Sequence, residues 1–329
     1  MRILFAGSPA IAIPSLNTLV DLQIKEKNIE VIGILTNPDS QKGRTNKKEP
    51  TEIGKASIIL SEKLKEHKLP PIIQLKPEKL DKKVREEVSS LKPDLLISFA
   101  YGHIFGPKFL SLFPLGGINI HPSLLPKYRG ATPIPSAILN KEKETGITIQ
   151  TIALEMDAGD ILLQESFPLN GKETTVSLSE FIAKRSGELL LLVIKDIIKN
   201  GIQGKTQVGE ASFCSLIEKK DGLINWELKT EDIYAQIRAF TPWPLSFTTH
   251  KDQYLYILEA FPYKINPQEK PAGTILGIDK NAGILVQTGD GILAITKLQY
   301  QAKKPLDWQS FINGARDFTS NGFLKSCIL

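Results

Sequence analysis

Short apolar runs alternating with helical periodicity over the first 121 residues restrict this chain to very few folds. Residues 3–6, 30–35, 72–75, 95–100 and 117–121 read as buried strands, and 13–22, 53–68 and 80–88 read as helices between them. Strands that alternate with helices argue for a parallel, doubly wound α/β sheet. Ligands of such sheets bind beyond the carboxyl ends of the strands, and His121 stands at the end of the last of these runs. The first turn, Ala6-Gly7-Ser8-Pro9, lacks the three glycines of a dinucleotide site, which disfavours NAD or FAD. No phosphate-binding G-x-x-x-x-G-K-[ST] loop is present either.

The pattern then changes. Residues 147–153 and 161–169 alternate like antiparallel strands flanking a loop that contains Asp157. Ser177-Leu178-Ser179-Glu180 has capping-box spacing ahead of a long amphipathic helix reaching about Lys199, which Asn200-Gly201 ends. Residues 201–212 are glycine-rich and polar, as a linker would be. Beyond them come one short helix near 233–240 and strand-like runs at 255–260, 273–278, 283–287 and 292–298, separated by turns. That spacing predicts a small β-barrel. A chain of 329 residues exceeds a typical single domain. The expected division is a catalytic domain at 1–200, a linker at 201–212 and a second domain at 213–329.

Composition excludes several classes. The longest apolar run, 189–194, cannot span a bilayer, and no basic segment followed by an apolar stretch marks a secretory leader. Cys214 and Cys327 lie far apart with no metal-ligand spacing, as expected for reduced thiols in a cytoplasmic protein. The net charge of +5 is compatible with an RNA partner but does not demand one. Residues 210–329 carry 13 Lys and Arg against 13 Asp and Glu, so the excess, 28 against 23, lies in residues 1–209.

The chemistry concentrates in Ile118-Asn119-Ile120-His121-Pro122, followed 38 positions after Asn119 by Asp157. Asn119 and His121 alternate onto one face of a strand. The amide can donate to a carbonyl oxygen as it gains charge, and a protonated His121 can do the same. Asp157 can orient the imidazole and take up the proton an attacking amine loses, with Asp160 as a competing loop carboxylate. No serine or cysteine in this stretch is placed as an activated nucleophile, so direct acyl transfer is expected.

On these residues the chain resembles the folate-dependent formyltransferase family over nearly its full length. The matching segments are Ile3-Leu4-Phe5-Ala6-Gly7-Ser8-Pro9, the Asn119–His121 pair, Ser123-Leu124-Leu125-Pro126, Tyr128-Arg129-Gly130-Ala131, Asp157, and, downstream, Arg238-Ala239-Phe240-Thr241-Pro242-Trp243-Pro244. The resemblance implies a Rossmann-like formyltransferase domain followed by an OB-like β-barrel that helps to hold tRNA. It implies catalysis by Asn119, His121 and Asp157, with folate contacts from Ser123, Leu124, Leu125 and Pro126. Phe99, Tyr101 and Leu154 are candidates to line a pteridine pocket, with core packing as their alternative. The implied donor is 10-formyltetrahydrofolate, used as a co-substrate without metal. The implied acceptor is the α-amino group of methionine on initiator tRNA; a sugar-nucleotide amine is the alternative. The cationic loop 42–48 matches an insertion that reaches the tRNA acceptor stem, through Lys42, Arg44, Lys47 and Lys48, with Lys219 as a further candidate. The family more often has a second glycine directly after this arginine, where the chain has Thr45. His103 matches no functional position, and a monomer is the default expectation.

Overall fold

The computed structural model describes residues 1–41, 47–264, 269–315, 317–319 and 322–327. The chain folds into two compact units. The first comprises residues 1–133, 144–168 and 179–214; the second comprises 134–143, 169–178 and 215–329.

The first unit is built on seven strands: β1 (Arg2–Ala6), β2 (Glu30–Leu35), β3 (Ile73–Leu75), β4 (Leu95–Ser98), β5 (Gly117–His121), β6 (Glu144–Thr151) and β7 (Ile161–Pro168). Their order across the sheet is β7-β6-β5-β4-β1-β2-β3. The pairs from β3 to β5 are parallel, whereas β6 runs antiparallel to both β5 and β7. Parallel neighbours require crossovers, supplied up to β4 by α1 (Ile13–Glu26), α2 (Glu52–Glu66) and α3 (Lys82–Ser90), and between β4 and β5 by residues 99–116 with their one helical turn at Pro107–Leu110. Helices on the faces bury the central strands on both sides, which is why Ile3, Leu4, Phe5 and Ala6 are all fully buried. The turn of direction between β1 and β4 is the switch point of such sheets, and β5 lies one strand further on.

Helix boundaries follow local chemistry. Thr51 caps α2 by accepting from the Gly54 N–H at 3.0 Å, and Asp81 caps α3 through the Val84 N–H at 3.1 Å. The long helix α4 (Thr175–Asn200) buries Leu178, Ile182, Leu189, Leu190, Val193 and Ile194 at the spacing expected of one helical face. Its cap corrects the sequence reading. Thr174 Oγ1 accepts from the Ser177 N–H at 3.2 Å while Ser177 Oγ accepts from the Thr174 N–H at 3.0 Å. The reciprocal pair therefore sits three residues before Ser177–Glu180, because a second hydroxyl residue satisfies the orphan amide as well as a glutamate does.

The second unit carries β8 (Ser246–His250), β9 (Gln253–Tyr263), β10 (Ile275–Asp279), β11 (Gly283–Gln287) and β12 (Ile292–Tyr300), in the order β8-β9-β12-β11-β10, all antiparallel. The C-terminal segment joins the two edges: Thr249 pairs with Lys325 and Thr274 with Phe323. This links β8 to the start of β10 through the C-terminal segment, the closure of a small barrel. Its interior holds Trp226, Ile257, Ile284, Ile295, Phe311 and Phe318, all buried. Trp226 Nε1 donates to Thr248 Oγ1 at 3.0 Å, so even the polar atom of this ring is satisfied inside. Among the described residues no helix is long and apolar enough to cross a membrane.

Candidate active site

β5 delivers Asn119 and His121 to the carboxyl end of the parallel sheet, and the β6–β7 loop brings Asp157 back onto them. The buried His121 ring has both nitrogens engaged. Nε2 lies 2.8 Å from the Tyr128 carbonyl oxygen, which can only accept, so Nε2 carries the hydrogen. Nδ1 lies 3.5 Å from Asp157 Oδ2. Burial pushes the imidazole below the usual histidine range, opposed by the Asp157 carboxylate and the Tyr128 carbonyl. A neutral ring then turns a bare Nδ1 lone pair towards the carboxylate, and 3.5 Å suits such a contact better than a strong hydrogen bond. Nδ1 is the ring atom that can take up a proton, and the Asp157 carboxylate is placed where it can stabilise an imidazolium.

Four donors surround the Asp157 carboxylate in total once the imidazolium is counted. Oδ2 accepts from the Gly130 N–H at 2.8 Å, and Oδ1 from Gln150 Nε2 at 3.1 Å. Asn119 Nδ2 reaches Oδ1 only at 3.4 Å, a weak bond that leaves the amide free to turn to a substrate oxygen. Backbone geometry serves the same end. Asp157 and Tyr128 adopt the left-handed region, with φ of 52° and 60°, a conformation that a tyrosine holds at a cost of roughly 1–3 kcal/mol. Gly130, at φ 114°, has the Cys214 carbonyl 2.3 Å from where a Cβ would stand, so only glycine fits.

The Ser123–Pro126 segment is fixed from β6. The buried Thr148 hydroxyl donates to the Ser123 carbonyl at 2.7 Å and accepts from the Leu125 N–H at 3.2 Å and Gln164 Nε2 at 2.8 Å. Ser123 Oγ donates to the Lys127 carbonyl at 2.6 Å. Leu125 is buried, and the Leu125–Pro126 peptide is cis.

The remaining expected residues divide. Phe99 and Tyr101 are buried; Tyr101 stacks on Phe105 within a core cluster with Leu4 and Leu96. Among the described residues its hydroxyl has no hydrogen-bond partner, and burial pushes it up to about 12. Leu154 is 67% exposed, on the same loop as Asp157. Lys42 and Arg44 lie outside the described residues, while Lys47 and Lys48 are exposed beside a short pair of strands, Ser40–Gln41 with Lys48–Glu49. His103 Nε2 donates to Asn37 Oδ1 at 3.0 Å, ahead of that pair. Lys219 is exposed in a short 3-10 turn, Lys219–Gly222.

Sequence reasoning missed Thr148 and Gln150 and assigned no role to Arg129. The available signal was the alternation in β6, where buried Thr148 and Gln150 fall on one face and buried Ile147 and Ile149 on the other. Two polar residues sharing the buried face of a strand need partners, and here those partners belong to the candidate site.

Residues 1–194 match the family model for formyl transferase, and residues 216–316 match that for the formyl transferase C-terminal domain. The chain is 47% identical to a methionyl-tRNA formyltransferase of Treponema denticola, covering 98% of this chain and 99% of the relative. It is 38% identical to one from Borreliella burgdorferi, over 98% and 99% of the two chains. Among solved structures, HypX from Aquifex aeolicus in complex with tetrahydrofolic acid superposes with a TM-score of 0.63 at 16% identity. That match covers 95% of this chain, which spans about half (47%) of HypX. An N-formyltransferase from Helicobacter canadensis, in complex with folinic acid and dTDP-3-aminofucose, gives 0.64 at 21% identity, over 90% and 99% of the two chains.

Proposed function

The chain belongs to the formyl transferase family, with both of its domains, and on that premise we propose that it formylates the α-amino group of methionine on initiator tRNA. The donor is 10-formyltetrahydrofolate, a co-substrate; the setting is the cytoplasm, where charged initiator tRNA is found. The observation that carries the chemistry is the Asn119–His121–Asp157 cluster at the carboxyl end of β5. The choice of acceptor is supported by 47% identity along the full length of a relative with that name.

The residues take the following parts. The neutral amine attacks the formyl carbon; a C–N bond forms and the carbonyl π electrons move onto oxygen. Asn119 turns its N–H from the long contact with Asp157 to this oxyanion. The His121–Asp157 pair takes up the proton the amine loses, as an imidazolium held beside the carboxylate. Collapse re-forms the carbonyl and breaks the bond to the folate nitrogen, which leaves with that proton. Ser123, Leu124, Leu125 and Pro126 contact the folate, with Phe99 and Tyr101 backing the pocket and Leu154 at its mouth. Lys42, Arg44, Lys47, Lys48 and Lys219 contact tRNA phosphates.

The test supplies 10-formyltetrahydrofolate with methionyl initiator tRNA, with an amino-sugar nucleotide, or with water alone. Formyl-methionine formed only in the first arm is the expected result. Formylation of the sugar alone, or hydrolysis without an acceptor, would overturn the reading.

A further inference from the structure

Gln207 lies in the polar stretch expected to be a linker, and its side chain turns inward while Gln203–Thr206 and Val208–Glu210 are exposed. The stretch is bonded along its length within the first unit. Lys205 pairs with Ile161, Ser212 accepts from the Tyr128 N–H through Oγ and from the Arg129 N–H through its carbonyl, and Phe213–Cys214 runs parallel to Arg129–Gly130. At its centre the Gln207 carboxamide has its two ends in opposite surroundings. Nε2 faces three carbonyl-type oxygens: Asp157 O at 2.8 Å, Gly159 O at 2.8 Å and Gln150 Oε1 at 3.1 Å. Oε1 faces Arg129, from whose Nη2 it accepts at 2.8 Å and from whose Nε at 3.3 Å. Only an amide presents donors to the first set and an acceptor to the second.

These contacts converge on one element. Two of the three oxygens belong to the loop that carries Asp157, where the backbone is left-handed at φ 52°. The third belongs to Gln150, whose own Nε2 donates to Asp157 Oδ1, so Gln207 also sets the orientation of that amide. Arg129 closes the ring: its Nη1 donates to Glu155 Oε1 at 2.9 Å, two residues before Asp157.

We infer that Gln207 is a positioning residue for formyl transfer, clamping the Asp157 loop so that its carboxylate stays against His121. The inference rests on the catalytic reading of Asp157. Removing the clamp displaces a reacting group without touching either substrate, so it lowers kcat and leaves KM unchanged; misplacement of about 1 Å costs on the order of a hundredfold.

The test compares Gln207→Glu, Gln207→Met and Asp157→Asn in steady-state formyl transfer, with thermal unfolding of each. Glutamate keeps the shape and the bond to Arg129 but has no donor for the Asp157 and Gly159 carbonyls. Both Gln207 variants are expected to lose roughly 10- to 100-fold in kcat, with KM for donor and acceptor within about threefold of wild type. A near-wild-type Gln207→Glu would overturn the inference, whether or not Gln207→Met is impaired, because holding Arg129 would then suffice. So would a raised KM at unchanged kcat, which marks a substrate contact. An active Asp157→Asn sinks the catalytic reading itself, whereas an inactive Asp157→Asn beside active Gln207 variants sinks only the clamp. Should Gln207→Met unfold, Gln207→Glu alone decides.

Discussion

Replacing Thr148 with valine removes one hydroxyl and changes almost nothing in volume, so it isolates what that oxygen does. It is fully buried and is the sole partner of the Leu125 N–H among the described residues. The variant leaves two main-chain groups without a partner, the Leu125 N–H and the Ser123 carbonyl, while Gln164 Nε2 retains the Leu125 carbonyl at 2.9 Å. Each orphaned buried group costs about 1–3 kcal/mol, so local destabilisation of about 2–6 kcal/mol is expected from the two. Hydrogen exchange reads this directly. At 1.4 kcal/mol per factor of ten, the Leu125 amide should exchange at least roughly thirtyfold faster in the variant. The same loosening of the segment from Ser123 to Pro126 should raise KM for the formyl donor more than it lowers kcat. Thr148→Ser, which keeps the hydroxyl, should restore most of both. Unchanged exchange at Leu125 with an unchanged donor KM would refute the argument that Thr148 fixes this segment.

Asn119→Ala and His121→Ala should each slow turnover by roughly a hundredfold or more, measured as kcat with saturating donor. Burial lowers both His121 and His250, so each binds fewer protons folded than unfolded at mildly acidic pH. Stability should therefore be full above the unfolded value of about 6.5 and fall as pH drops below it, by up to about 1.4 kcal/mol per pH unit per histidine. Thermal unfolding between pH 7.5 and 5 checks the sign, and greater stability on acidification would contradict it. Arg44→Ala should weaken tRNA binding and reduce its logarithmic salt slope by about one, without altering donor KM. A change confined to the donor would reassign that loop.

Much of the first unit was legible because burial on both faces of a parallel sheet writes itself into local sequence. The runs at 3–6, 30–35 and 117–121 coincide with β1, β2 and β5 to within a residue. Asn119 and His121 were legible as a pair because strand alternation alone places them on one face. The run at 95–100 overshot: β4 stops at Ser98, and Ala100 turns left-handed at φ 52°, which hydrophobicity does not encode. Four of the five barrel strands were legible; β8 (Ser246–His250) was not, and neither was the closure. Thr249–Lys325 and Thr274–Phe323 are isolated pairings too short to carry any period.

Chain order by itself determined the strand that ends in His121 and the residue types able to do acyl-transfer chemistry, since both depend on neighbours a few positions apart. Which atoms those residues face was settled only by the fold. His121 meets the Tyr128 carbonyl and Asp157, and Asp157 meets Gln150, across a sheet and a loop. Gln207 reaches its partners at separations of 48, 50, 57 and 78 residues. Hydrogen bonds act over about 3 Å of space and are indifferent to distance along the chain, so no local pattern can announce them.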